Sequence, residues 1–235
     1  MNIDDLTKST GEWLRGVGPM SDVVISARIR LARNLADHPF LTTADAGERT
    51  EIYRSLSHAI TSTAAGADDF LVDLETADVI DRNVLVERHL ISRQHAAGEG
   101  SRGVAISPTE TRAVMINEED HLRLQGLRSG LQLEELWREI NEVDDALSKT
   151  IAFAFDRQLG YLTACPTNVG TGIRVSVMLH LPALRLTKEI ERVARAARDL
   201  RLAVRGMYGE GTEAIGDLYQ VSNQTTLGKS EEAII

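Results

Sequence analysis

Four short stretches of this chain gather side chains that handle anions and protons. Between Val24 and Leu31 the sequence alternates, so Ile25, Ala27, Ile29 and Leu31 share one face of a strand and Ser26, Arg28 and Arg30 the other. Arginines two apart on a strand lie roughly 7 Å from each other. They repel, and an anion between them relieves the repulsion; phosphate suits because guanidinium binds it through two parallel hydrogen bonds. A solvated outer strand face gives the same pattern. Glu118-Glu119-Asp120 follows an apolar run. Carboxylates held together raise one another's pKa unless a cation such as guanidinium sits among them; a solvated acidic turn is the other reading. The only cysteine, Cys165, opens a loop rich in turn residues (Pro166, Asn168, Gly170, Gly172) that runs into Arg174. A thiol, backbone amides and a guanidinium thus meet at one end of two extended segments, Tyr161–Ala164 and Ile173–Leu181. Last, glycines flank Glu210, allowing a loop that closes tightly on a ligand.

Composition excludes several classes. Net charge is −9, from 26 basic and 35 acidic residues. That disfavours non-specific nucleic-acid binding, which depends on neutralising phosphates, and suits a basic partner or substrate. No run approaches the roughly 18 apolar residues of a membrane span. The start, MNIDDLTKST, is too acidic and polar for a secretory signal. One cysteine makes no internal disulfide, and no Cys/His cluster of metal type exists. His89 and His95, six apart, do not form the adjacent-turn pair of a helical metal site. The cytoplasm is the default location.

The elements that must position these residues read as a mixture of helices and strands. Helices are expected over Ala44–Ala64, with Ile52, Leu56 and Ile60 at four-residue spacing, and over Leu131–Phe153, with an apolar stripe through Leu136, Ile140, Val143 and Leu147. Thr187–Arg201 reads as a third, with Thr187 as N-cap and Ile190, Val193, Ala194 and Ala197 facing inward. Phe70–Leu74 reads as a strand, Glu75–Asn83 is weakly defined, and Arg102–Ser107 with Thr111–Asn117 reads as a hairpin. Leu202–Met207 and Asp217–Ser222 are the last strands, and Ser230 starts a final helix.

SARIRLARN (Ser26–Asn34), NEEDHLR (Asn117–Arg123), CPTNVGTGIR (Cys165–Arg174) and RGMYGEGTEAIGDLYQVSNQTTLG (Arg205–Gly228) together resemble the motifs of the phosphagen kinase catalytic domain. GTGIRVSVMLHLPAL and RGMYGEGTEA are closer to its bacterial protein-arginine kinase branch than to creatine or arginine kinases. The resemblance implies an α+β fold: a large, mostly antiparallel curved sheet flanked by helices, of the phosphagen kinase or glutamine synthetase-like type. It implies a lead-in over residues 1–20 and a catalytic domain over 21–235, without the N-terminal helical domain of small-guanidine kinases. The C-terminal helical region of the bacterial branch, which binds phosphoarginine and supports dimers, is also missing, so the oligomeric state stays open.

By the same resemblance, Arg28, Arg30, Arg123, Arg174 and Arg205 clamp the phosphates of ATP. Ser26, Ala27, Ile29, Val175, Ser176, Val177, Met178, Gly206, Met207, Tyr208, Gly209 and Glu210 line the nucleotide, and His89 lies against adenine or ribose. Mg²⁺ rides on the phosphates with few or no direct protein ligands. Glu119 is the principal base, Glu210 positions the acceptor guanidinium, and Cys165 tunes the site as a thiolate. The implied activity is ATP-dependent phosphorylation of arginine side chains in proteins, with an activator and a protease–chaperone complex as partners. The rival expectations are a kinase of free arginine or another small guanidino compound, and a non-catalytic phosphoarginine- or nucleotide-binding module. Retention of Glu119, Glu210 and all the clamp arginines argues against the last.

Overall fold

A computed structural model describes residues 3–8, 10–64, 66–206 and 215–235. Its strands are β1 (Val24–Arg33), β2 (Phe70–Asp73), β3 (Gly103–Ile106), β4 (Arg112–Ile116), β5 (Leu122–Ser129), β6 (Phe155–Asp156), β7 (Gly160–Tyr161), β8 (Ile173–His180), β9 (Leu202–Gly206) and β10 (Leu218–Asn223). All but β6 and β7 join one sheet in the order β2-β3-β4-β5-β1-β8-β10-β9. Every pairing in it is antiparallel. The helices are α1 (Ile3–Leu6), α2 (Ala46–Ser62), α3 (Val79–Glu87), α4 (Arg93–Ala97), α5 (Leu133–Ser148), α6 (Pro182–Leu186), α7 (Ile190–Asp199) and α8 (Glu231–Ile234). None is long and apolar enough to cross a membrane.

The sheet has two unlike faces, as the alternation in β1 requires. Ala27, Ile29 and Leu31 are fully buried. Ile29 and Leu31 pack with Leu124 of β5, Ile52, Leu56 and Ile60 of α2, and the Leu136–Leu147 stripe of α5. Gly126 in β5 makes the closest approach possible: a Cβ there would stand 2.6 Å from Leu136 Cδ1 and 2.7 Å from Ile140 Cγ1. A capping box fixes the start of α2, with Asp45 accepting from Glu48 N and Glu48 accepting from Asp45 N, both at 2.8 Å. A second apolar cluster lies on the opposite face, at the β3–β4 end of the sheet. Leu6 is fully buried against Leu74, Leu85 and Leu90.

Several expectations change. The run after the three acids, LRLQGLRS, is a full strand, β5, and it lies beside β1 at the centre of the sheet. The weakly defined stretch contains α3, capped by Asp78. α5 stops at Ser148, because the chain turns to bridge Phe153 to Leu35 beyond β1. Of Tyr161–Ala164, only Tyr161 joins a ladder, with β6. Thr187 is not the cap of α7: its hydroxyl bonds Ala183 O at 2.9 Å and closes α6. Nor is the apolar side of α7 in a core; none of its residues is buried and Val193 is 39% exposed.

Candidate active site

The register places the arginines on one face. Directly opposite residues of antiparallel strands point the same way. Arg30 faces Arg174 on β8 and Gln125 on β5; Arg28 faces Ser176 and Leu127. Arg123 stands two residues along β5 from Gln125, and Arg205 on β9 faces Gln220, which in turn faces Met178. So Ser26, Arg28, Arg30, Arg123, Arg174, Ser176, Met178 and Arg205 share the face that α2 and α5 leave uncovered. Ala27, Ile29, Val175 and Val177, also expected to line a nucleotide, stand on the opposite face, the first three buried. Gly206 ends β9 opposite Tyr219. Met207, Tyr208, Gly209 and Glu210 lie outside the described residues.

Burial and crowding together disfavour the charge on these guanidiniums. Burial first, then Arg123 and Arg174, pushes Arg28 down to about 10. Arg30 is held well below the usual arginine range by burial and by Arg28, Arg123 and Arg174, against the pull of Glu118. The buried Nε of Arg30 makes no hydrogen bond among the described residues. Arg28 is held by Gln220 Oε1 (2.7 Å) and Ser176 Oγ (3.4 Å). A cluster of like charges with an unsatisfied buried donor suits a polyanion. The phosphate tail of ATP fits that description.

The three acids divide their work. Glu118 is buried, bonds Arg123 at 2.8 Å and accepts from Ser92 Oγ at 2.6 Å. Burial pushes its carboxyl up, but Arg123, the Ser92 hydroxyl and His95 outweigh burial and hold it below the usual range. Glu119 also reaches Arg123, at 3.1 Å, yet its side chain is 36% exposed. Its carboxyl is raised, by burial first, with Asp120 and Glu118 adding to the rise and Arg123 and Arg30 opposing it. Asp120 is fully buried and structural: its Oδ1 accepts from Asn34 Nδ2 (2.6 Å) and Ala164 N (2.7 Å). The expected cation among carboxylates is therefore Arg123, between Glu118 and Glu119.

Through the Ala164 bond the Glu119 loop is tied to the loop that Cys165 opens. The Cys165 Sγ lies 3.0 Å from Thr167 Oγ1, a hydroxyl and not a cation, its polar partner among the described residues. Gly172 in this loop has φ 66°, and a Cβ would stand 2.7 Å from both Ala32 O and Arg33 Nη1. Arg33 itself is 1% exposed, paired with Asp144 and stacked 3.5 Å from the Tyr161 ring centroid.

His89, with φ 59°, presents a ring pushed down to about 4 by burial, Arg28 and Arg93, and so neutral at pH 7. It borders a small recess beside Arg28 that Met178 and Gln220 also line. Sequence reasoning passed over Trp13, Asn34, Ser92 and Gln220. Asn34 closes the SARIRLARN motif and was legible there; the others carry no local signal.

Residues 51–235 match the ATP:guanido phosphotransferase C-terminal catalytic domain, and the chain belongs to that family. Arg28 and Arg30 precede the matched stretch and are joined to it by the pairing of β1 with β5 and β8. A protein-arginine kinase of Symbiobacterium thermophilum is 50% identical over 233 residues, which are 98% of this chain and 66% of that protein. One from Bacillus cereus is 47% identical over 238 residues, 100% of this chain and 67% of that protein. The chain thus spans about two-thirds of the length of these curated relatives. Among solved structures, the duplicated taurocyamine kinase of Schistosoma mansoni with bound transition-state-analogue components superposes with a TM-score of 0.81 at 28% identity, over 99% of this chain and 33% of that one. Lombricine kinase superposes at 0.78 with 27% identity, over 99% and 66%.

Proposed function

We propose that this chain transfers the γ-phosphoryl group of ATP to the guanidino group of arginine side chains in proteins. One observation carries the reading: guanidiniums from β1, β5, β8 and β9 share the sheet face opposite α2 and α5, and Glu119, with its raised pKa, stands on Arg123 at the edge of that set. Phosphoryl transfer asks mainly for positioning and for neutralising negative charge. Arg28, Arg30, Arg123, Arg174 and Arg205 supply the neutralising charge, together with Mg²⁺ carried on the phosphates.

A guanidinium is a poor nucleophile because its pKa exceeds about 12. Glu119 does not deprotonate it outright. It orients the nitrogen and accepts its proton as the P–N bond forms, while the bond from phosphorus to the ADP oxygen breaks and its electron pair leaves with ADP. Glu210 would hold the other edge of the guanidinium, and Cys165 would border it. The names of the similar bacterial proteins favour an arginine within a protein over a small guanidino compound. An activator, a protease–chaperone complex and the cytoplasm complete the proposal.

The test is incubation with Mg-ATP and casein, followed by mass spectrometry for acid-labile phosphate on arginine. Phosphoarginine on the protein is expected. Phosphorylation of free L-arginine with equal efficiency would move the assignment to a small-guanidine kinase, and nucleotide binding without transfer would make the chain a binding module.

A further inference from the structure

Ser92 lies outside every motif that carries the family resemblance, yet its hydroxyl reaches the loop of Glu119. A hydroxyl has one proton to give and lone pairs with which to accept. Ser92 uses both. Its Oγ accepts from His95 N at 2.9 Å, capping α4, and donates to Glu118 Oε1 at 2.6 Å. A cap needs only the acceptor. The donated bond is additional, and it joins α4 to the turn between β4 and β5. α4 is itself anchored on the sheet. His95 is buried, its Nε2 donates to Gly103 O at the start of β3 at 3.0 Å, and its carbonyl accepts from Arg102 Nε at 3.0 Å. Ser92 therefore meets Glu118 from a fixed support.

Glu118 passes that constraint on. Its side chain is 1% exposed, and its Oε1 also holds Arg123 Nη1 at 2.8 Å. The other oxygen, Oε2, accepts from the backbone N–H of Glu119 at 2.7 Å. Arg123 Nη2 in turn reaches Glu119 Oε2 at 3.1 Å. Glu119 is thus steered from both ends, at its own N–H and through the guanidinium that its carboxylate meets. A hydroxyl donating to a carboxylate makes one of the stronger hydrogen bonds. Without it Glu118 keeps two partners, both belonging to the part that it has to hold still.

We propose that Ser92 is a positioning residue for the transfer step: by holding Glu118, it sets where Glu119 and Arg123 stand. The proposal rests on the kinase reading for the reaction whose rate is measured. Glycine is tolerated at an N-cap, so Ser92→Gly removes the bond to Glu118 at little cost to α4, while Ser92→Thr keeps both bonds. Ser92→Gly should melt close to the parent and lower kcat for casein phosphorylation about tenfold, within the loss that slight misplacement of a reacting group brings. KM for ATP should stay within about threefold, because Arg28, Arg30, Arg174 and Arg205 lie on β1, β8 and β9. Ser92→Thr should recover most of the rate. In a Glu118→Ala background, Ser92→Gly should cost less than about twofold more, since the path is already cut. An unchanged kcat in Ser92→Gly, or the full tenfold loss again in the Glu118→Ala background, overturns the proposal and leaves Ser92 a helix cap. Should the Gly variant not fold, Ser92→Cys, a weak donor in the same place, should show the same pattern to a smaller degree. If the parent phosphorylates no arginine, the kinase reading falls alone, and position is read from hydrogen exchange. The Glu119 amide should then exchange faster in Ser92→Gly than in the parent while the amides of β1 hold; an unchanged Glu119 amide overturns the positioning.

Discussion

Asp120 Oδ1 accepts a hydrogen bond from the backbone N–H of Ala164 at 2.7 Å, which pins the loop of Glu119 to the loop of Cys165. The same oxygen accepts from Asn34 at 2.6 Å, so three motifs far apart in sequence meet on one atom. The other oxygen, Oδ2, is buried without a hydrogen-bond partner among the described residues. A buried, half-satisfied carboxylate costs stability. Asp120→Asn keeps an accepting oxygen and removes the charge. Its melting temperature should equal or exceed that of the parent chain while kcat falls several-fold. Asp120→Ala cuts the joint itself and should cost about 2–4 kcal/mol of stability by the usual worth of two buried hydrogen bonds. Thermal scans and kinetics on both variants check this; parallel loss of stability and activity in Asp120→Asn would contradict it.

Glu119→Gln should lower kcat by about 10²–10⁴-fold, the range for a positioned general base, with nucleotide affinity retained. The pH dependence has a definite sign. The carboxyl is raised by burial, Asp120 and Glu118 beyond what Arg123 and Arg30 take away. Activity requires the deprotonated form, so the acid limb of kcat/KM, which reports the unliganded site, should lie above the ordinary glutamate value of about 4.3. Asp120→Asn removes one of the charges that raise it, and its limb should move to lower pH. Initial rates from acid to neutral pH on the parent and Asp120→Asn read both statements, and coincident limbs would sink the second.

How much of this the sequence discloses depends on whether a residue's partner is local. The alternation in Val24–Leu31 sorts Ser26, Arg28 and Arg30 from the core residues, because period two is a property of the strand itself. The stripe in α5 is equally visible. β5 is not: its arginine face carries Arg123, Gln125 and Leu127, and its helix face includes Gly126, so neither side looks apolar throughout. Its place at the centre of the sheet is set by Leu136 and Ile140 closing on Gly126, contacts that no short window contains. The acids show the same limit. Their crowding announces a cation, but only the fold shows that Glu118 is spent on Arg123 and Ser92, Asp120 on Asn34 and Ala164, and that Glu119 is left partly exposed. α7 misleads in the opposite direction: a strong helical period directs its apolar side toward a face that is not buried.

Arg30 is expected to trade stability for binding. Its guanidinium is held down by burial and by three neighbouring arginines, and its Nε lacks a hydrogen bond among the described residues. Arg30→Met relieves the repulsion and the unmet donor together. Without ligand the variant should melt at the same temperature as the parent or higher. Tripolyphosphate should stabilise the parent by about 2.7 kcal/mol at a hundred times its dissociation constant and the variant far less at the same concentration. Melting curves with and without tripolyphosphate decide it, and an undiminished shift in the variant would exclude Arg30 from the clamp.

Arg33 stands one alternation beyond Leu31, on the core face of β1, and its chemistry is opposite to that of Arg28 and Arg30. It lies 1% exposed, with Nη2 2.7 Å from Asp144 Oδ2, Nε 3.1 Å from Asp144 Oδ1 and Nη1 2.9 Å from Thr171 O. The charge is fully answered by α5 and by the loop after Cys165, so no anion is needed. Removing one partner strands the other charge in the core, which costs about 3–5 kcal/mol. Asp144→Ala should therefore destabilise the chain by that amount, far more than any change on the arginine face. Because Arg33 also holds Thr171, the Cys165 loop should loosen first. Hydrogen exchange in Asp144→Ala should then show faster exchange at Asn168–Ile173 than in α2, which shares the core but not the ion pair; uniform acceleration across both would mean that Arg33 merely fills space.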